Sequence, residues 1–207
     1  MDVRIEKMAY VLINYSTAVK PGDRVLIRST TPAAEPLCQA LYAEVLKAGG
    51  LASVYMHMSE EDPIALEATD DPALLAHVNP MLKMMYDECD VIIRIEAQEN
   101  SSDRAAYPVD RQVARAKAYS ALIDVQMVRE ANKTLRRCTT QFPTFSYAQS
   151  ARLSLRQYAD FLFGACKVDR DDPVAAWQQV QRDQARLVDW LKGKKAVQVR
   201  GKNIDLE

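Results

Sequence analysis

The chain has 207 residues, 48% hydrophobic and 27% charged, a balance typical of folded globular proteins and far from that of disordered ones. Acidic and basic residues nearly cancel, 28 against 27, so net charge gives no general reason to bind nucleic acid or a membrane surface. The six glycines form neither Gly-x-Gly nor Gly-Lys-Ser/Thr, which argues against dinucleotide and P-loop phosphate sites.

The first predicted element is an amphipathic helix. Ile5, Met8, Ala9, Leu12, Tyr15, Ser16 and Val19 recur at steps of three and four, up to the turn Lys20-Pro21-Gly22-Asp23. RVLIRS, residues 24–29, reads as a buried strand. Thr31 ahead of Pro32 then opens a helix in which Leu37, Ala40, Leu41, Val45 and Ala48 keep helical spacing as far as Gly49-Gly50. Leu51–Met56 is a second strand. Strand, helix and strand with short links make a βαβ unit, so these two strands are expected to be parallel.

Pro63, Pro72 and Pro80 divide the next stretch into short helical pieces before a third strand at Val91–Ile95. A polar loop, Glu96 to Asp103, follows it. Ligands of open α/β sheets collect beyond the carboxyl ends of the strands, which makes Arg94, Glu96 and Asn100 the best-placed polar residues for a cleft. A solvated loop is the plainer expectation for all three.

Asp110 to Asn132 is helical, with Val113, Ala116, Leu122, Ile123, Met127 and Val128 as its apolar positions. Leu135 to Thr140 forms a short strand, and QFPTFS a turn-rich segment. Ser154 caps a helix to Ala165 that buries Leu155, Tyr158, Phe161 and Leu162. Asp172-Pro173 opens a long helix through Trp177, Val180, Leu187, Val188 and Leu191. A strand starts at Ala196 to Val199, and VQVRGKNIDLE reads as a hairpin or sheet edge cut short, because unpaired backbone groups need partners. The fold class expected from this order is α/β, a three-layer αβα domain with a mostly parallel sheet and a helix before the first strand.

Little in the sequence points to a self-contained active site. The two histidines, His57 and His77, stand twenty residues apart with no His or Cys at metal-ligand spacing. His57 follows the second strand and has some access to a site, whereas His77 reads as a surface or helix-end residue. Glu60-Glu61-Asp62, Asp70-Asp71 and the run Asp169 to Asp172 each precede a helix, where the backbone dipole favours negative charge, so capping is their expected role. Cys38, Cys89, Cys138 and Cys166 are scattered and read as buried free thiols. Ser101-Ser102 lacks a Gly-x-Ser-x-Gly elbow, and two histidines leave little scope for a nucleophile–base pair. The basic stretch 104–137 shows no aromatic interleaving that suggests a base-stacking platform and reads as a solvated helical face. No segment has the length of a membrane span or the apolar core of a signal peptide, which points to the cytoplasm.

A resemblance supplies more. RIEKMAYVLINYSTAVKPGDRVLIR followed by AEPLCQALYAEVLKAGG resembles the opening of the aminopeptidase T/aminopeptidase S family of metallo-exopeptidases. QFPTFSYAQSARLSLRQYADFLFGAC is similar to that family's "PT…A…A…S" stretch, and DRDDPVAAWQQVQRDQARLVDWLKGKKAVQVRGKNIDL to the segment leading into its catalytic half. One departure is Arg152-Leu153, in place of a Gly-Met pair, which bears on local helix packing. The resemblance implies a cytoplasmic, homodimeric aminopeptidase that removes N-terminal residues from a peptide substrate with two divalent metal ions (Zn, Co or Mg). It implies no nucleic-acid or membrane partner.

The family's metal ligands lie downstream of its Asn-x-Asp-Leu segment, here Asn203-Ile204-Asp205-Leu206, after which only Glu207 follows. No catalytic or metal-binding residue is therefore carried onto this chain, no metal is expected bound to it, and its substrate-binding residues are unassigned. Residues 1–207 are expected to form the N-terminal α/β domain of a longer aminopeptidase, inactive alone, shaping the cleft and supporting assembly. Two other classes stay open: a stand-alone binding or regulatory protein derived from the same domain, and an unrelated α/β small-molecule binder.

Overall fold

The structure, a computed structural model, describes residues 2–206. Its centre is a four-stranded sheet of β1 (Arg24–Ser29), β2 (Leu51–Met56), β3 (Val91–Glu96) and β4 (Arg136–Gln141), ordered β2-β1-β3-β4 with every neighbouring pair parallel. All three inner runs of the expected βαβ unit fall at their predicted places. Strand β4 begins one residue later than its sequence suggests, because Leu135 turns inward as a core residue ahead of the first ladder contact at Arg136.

Helices cover both faces. On one side α1 (Val3–Val11), a π-turn at Leu12–Ser16, α2 (Glu35–Lys47) and α8 (Leu155–Ala165) pack on Val25, Ile27, Val91, Ile93 and Ile95. On the other, α5 (Pro80–Glu88) and α6 (Val109–Ala131) pack on Leu26 and Ile92. The period of two in a strand explains this division, since odd and even positions of β1 and β3 serve opposite layers. Two short helices, α3 (Glu61–Ala68) and α4 (Pro72–Leu75), bury Leu66 and Leu75 against Ala114 of α6. The fold is thus the expected three-layer αβα arrangement.

Several local expectations are corrected. The buried stripe of α6 is Ala114, Ala118 and Leu122, while Val113, Ala116, Ile123, Met127 and Val128 are exposed. Ala114 packs against Leu66 and Leu75 of the two short helices and Leu122 against Leu26 and Ile92 of the sheet, so apolar size alone picks the wrong face. In α8 Phe163 is buried, because it packs into the apolar core with residues of α1, whereas Phe161 is exposed and Leu155 only half-buried. Cys38 and Cys89 are buried as expected, but Cys138 and Cys166 are only half-buried; all four are free, and burial pushes each thiol up. QFPTFS ends in a helix the sequence reading missed, α7 (Phe145–Ser150), with Thr144 as its cap.

The basic stretch is a set of tethers as well as a solvated face. Arg136 donates to the carbonyls of Thr17 and Ala18 and to Asp23, pinning the end of the first helix to β4. Arg129 donates to the carbonyls of Tyr86 and Thr134. Arg152, where the resemblance calls for glycine, has φ 57°, the left-handed conformation that ends α7. An L side chain there costs about 1 kcal/mol, which is the physical reason glycine suits the position.

Beyond the body stands α9 (Pro173–Leu191), then a two-stranded antiparallel hairpin of β5 (Val199–Gly201) and β6 (Ile204–Leu206). The strand expected from Ala196 pairs only from Val199. Trp177 and Val180 of α9 are half-buried, but Leu187, Val188 and Leu191 of the predicted apolar stripe are exposed.

Candidate functional site

In the order β2-β1-β3-β4 the chain leaves β1 in one direction and returns on its other side at β3. A crevice forms at the carboxyl ends of such strands. Here it has a volume of about 560 Å³ and lies on the α5–α6 side of the sheet. Arg28 of β1 and Arg94 of β3 stand on its floor, and they are register partners in the parallel ladder. The mouth is lined by the loops after β2 and β3, and by Tyr119, Ile123 and Gln126 of α6.

Arg28 alternates with Leu26 along β1, so a strand that buries its apolar residues carries a guanidinium into the same layer. Only 4% of Arg28 is exposed. Its Nη1 donates to the Tyr86 hydroxyl at 2.6 Å, and Nη2 and Nε lie 2.9 and 3.2 Å from His57 Nε2. The Tyr86 and Tyr119 rings stand 5.7 and 5.6 Å from the guanidinium carbon, in the range of cation–π attraction. A guanidinium has only donors, so His57 Nε2 must accept, and the imidazole proton sits on Nδ1 facing Glu61 Oε2 at 2.9 Å. The His57 bond and the neighbouring Arg115 charge hold the Glu61 carboxyl below the usual carboxylate range.

Arg115 of α6 closes this network. It donates to Glu61 at 2.9 Å and to Asp62 at 2.8 Å. Asp62 also faces Arg104 at 3.4 Å, and burial beside the Asp62 charge pushes the Tyr119 hydroxyl up to about 12. Glu61 and Asp62 therefore do not act as simple helix caps: their partners come from the loop after β2, the segment after β3 and α6, which no local reading of the acidic run contains. Glu60 occupies the cap position in a left-handed conformation, φ 60°, and makes no capping bond. The capping expectation holds for Asp71 and Asp172, which accept from Ala73 and Ala175.

Two loops are fastened around the opening. Thr31 donates to the Ala97 carbonyl at 2.6 Å, and Ala97 N–H donates to Thr30 at 2.8 Å. From the α7 side, Thr144 donates to the Gln98 carbonyl, while Ser146 and Tyr147 accept from the Ser101 and Gln98 amides. Ser59 reaches across to Glu99 at 2.7 Å.

The three cleft candidates, Arg94, Glu96 and Asn100, all line this crevice, but Glu96, expected in the polar loop, closes β3 beside Arg94, and only Asn100 comes from the loop. His57 joins them as a buried member of the network, and His77 is exposed on the far side of α4. Sequence reasoning missed Arg28, Tyr86, Arg115 and Tyr119. Its one available signal for them was the arginine inside the apolar run RVLIRS.

Together these features define a parallel α/β domain of the open-sheet class with a polar crevice at its switch point. The sequence pattern of the thermophilic metalloproteases (M29) matches residues 1–207, and the chain belongs to that family. Aminopeptidase 2 of Geobacillus stearothermophilus is 24% identical over 211 residues, covering 96% of this chain and 50% of its own. In structure, wild-type AmpT from Thermus thermophilus superposes with a TM-score of 0.73 at 16% identity, over 91% of this chain and 48% of that one. The chain thus spans about half the length of the relatives it matches.

A metalloprotease family implies divalent metal. Among the described residues no group of three or more His, Cys, Asp and Glu side chains is placed to hold an ion. At the crevice, Arg115 engages Glu61 and Asp62, and Arg28 engages the free nitrogen of His57. These residues do not fit a metal site. Among the same residues no helix is long and apolar enough to cross a membrane.

Proposed function

We propose that this chain is the N-terminal domain of a metallo-aminopeptidase that removes N-terminal residues from peptides with two divalent metal ions. The observation that carries the reading is the M29 match over residues 1–207 of a chain half as long as its aminopeptidase relatives. The metal ligands are assigned to the part of the relatives' length that this chain does not span. The domain itself shapes the cleft and supports assembly of a cytoplasmic homodimer, and it is inactive alone. Its exposed apolar arm, α9 and the hairpin, is the surface we assign to contact with that catalytic half.

The test is hydrolysis of leucine p-nitroanilide by the purified 207-residue chain and by the product of the native gene. The native product is expected to be substantially heavier, active, and inhibited by a chelator. Chelator-sensitive turnover by the 207-residue chain would overturn its assigned role, and a native product ending at Glu207 would overturn the two-domain reading.

A further inference from the structure

The crevice holds a buried cation without a carboxylate of its own. Arg28 is bound by the Tyr86 phenol and the His57 ring nitrogen, so its charge has no carboxylate in direct contact. Burying an unpaired charge is costly, so a fold that keeps one at a cleft floor has a use for it. Beside it, in register on the next strand, stands a second arginine, Arg94. Like charges on adjacent strands repel, and Glu96, 2.7 Å from Arg94 Nε, offsets the Arg94 side of the pair.

The walls offer the opposite sign. Glu60 is exposed at the mouth; its carbonyl accepts from the Ile64 amide, while its carboxylate has no ion-pair or hydrogen-bonding partner among the described residues, and its backbone is left-handed. Two buried side-chain atoms in the described residues lack a hydrogen bond, Arg94 Nε and Asp103 Oδ1, and both belong to residues of this crevice. Arg94 Nε lies 2.7 Å from Glu96 Oε1, and Asp103 Oδ1 lies 3.6 Å from Arg104 Nε, yet neither pair is aligned as a hydrogen bond. One open group is a donor near the floor and the other is an acceptor.

We infer that the crevice binds a small zwitterion, an α-amino acid or short peptide, with its carboxylate across Arg28 and Arg94 and its ammonium toward Glu60 and Asp103. A guanidinium fork matches a planar carboxylate, and free carboxylates at the mouth match an ammonium group. The volume of about 560 Å³ leaves room for an apolar side chain against Met58, Leu122 and Ile123. This inference stands apart from peptidase activity and does not need it.

The experiment is a thermal-shift screen of the 207-residue chain against the standard amino acids, with Ala-Ala and Leu-Leu as a second arm. A ligand at ten times its Kd is expected to raise Tm by about 3–6 °C. The best hit is then compared by calorimetry with its carboxamide, its deaminated acid and inorganic phosphate. The carboxamide and the deaminated acid are each expected to bind at least ~10-fold more weakly, the loss of one charge-assisted contact. A hit confined to the first arm identifies an amino-acid site, and one confined to the second a peptide site. Equal binding of the deaminated acid or of phosphate would overturn the zwitterion in favour of a plain anion. No shift in either arm would overturn the site altogether. Arg94→Gln, at a half-exposed position, and Arg28→Gln are each expected to weaken the hit by at least ~10-fold, with melting curves confirming a folded variant. Unchanged binding by a folded Arg94→Gln would also refute it.

Discussion

The body of the molecule and its C-terminal arm obey the same sequence rules with opposite results. In β1 and β3 the apolar residues are buried to the last side chain, because helices lie on both faces of the sheet. In α9 the apolar residues recur with the same regularity, yet from residue 181 to 206 every residue is exposed. The first turns of α9 are held: Trp177 donates to the Cys166 carbonyl at 2.9 Å, and Tyr15 to Gln181 at 3.1 Å. After that the helix runs clear of the body. Amphipathic spacing therefore specifies a helix and the face it offers, while burial depends on whether a partner surface is within reach.

The sharpest way to break this contrast is to cut a cavity in the body. Ile93→Ala, in a central strand with no exposed surface, is expected to destabilise the chain by about 2–5 kcal/mol in urea unfolding. A loss under 1 kcal/mol would mean the sheet core is far looser than its packing implies. A middle-sized effect is expected at the crevice, where the body is polar. Glu61→Gln removes one charge from the His57–Glu61–Arg115 chain and is expected to cost about 1–3 kcal/mol at pH 7.

That cost depends on pH in a defined direction. The folded-state pKa of Glu61 is depressed, so its contribution is present above the ordinary glutamate value near ~4.3 and is lost as pH falls through the lower folded value. The gap between wild type and Glu61→Gln should therefore be full at pH 7 and narrow below pH ~4. A gap that widens in acid would show that Glu61 is stabilised in its protonated form.

The βαβ core was legible in the sequence because each of its cues is local. RVLIRS and LASVYM end at turn residues, Thr31 caps the helix opening at Pro32, and Gly49 takes the positive φ at its close. The crevice was only half legible. The carboxyl end of β3 brought Arg94, Glu96 and Asn100 to the crevice where the switch-point rule put them, although a solvated loop was the plainer expectation. The network joining Arg28, His57, Glu61 and Arg115 was not readable, because its members come from β1, the loop after β2, the start of α3, and α6. Only the folded sheet brings residues 29 to 54 positions apart within 3 Å or so. The buried face of α6 was misjudged for a related reason: Ala114 is covered by Leu66 and Leu75 of α3 and α4, a neighbourhood that only the fold supplies.

The smallest expected effect lies in the arm. Leu187→Ser and Trp190→Ser replace side chains that are 56% and 65% exposed, in a helix whose second half is exposed throughout. Little apolar area returns to water in either change, so the loss in urea unfolding of this chain should stay within about 0.5 kcal/mol. In the native gene product the same pair is expected to cost several-fold more, since the catalytic half we assign to this surface would cover both side chains. Equal, small losses in both proteins would leave α9 a solvated helix with an accidental stripe. A large loss in the 207-residue chain alone would instead show that the arm folds back onto the body in solution, and the contrast between the two regions would disappear.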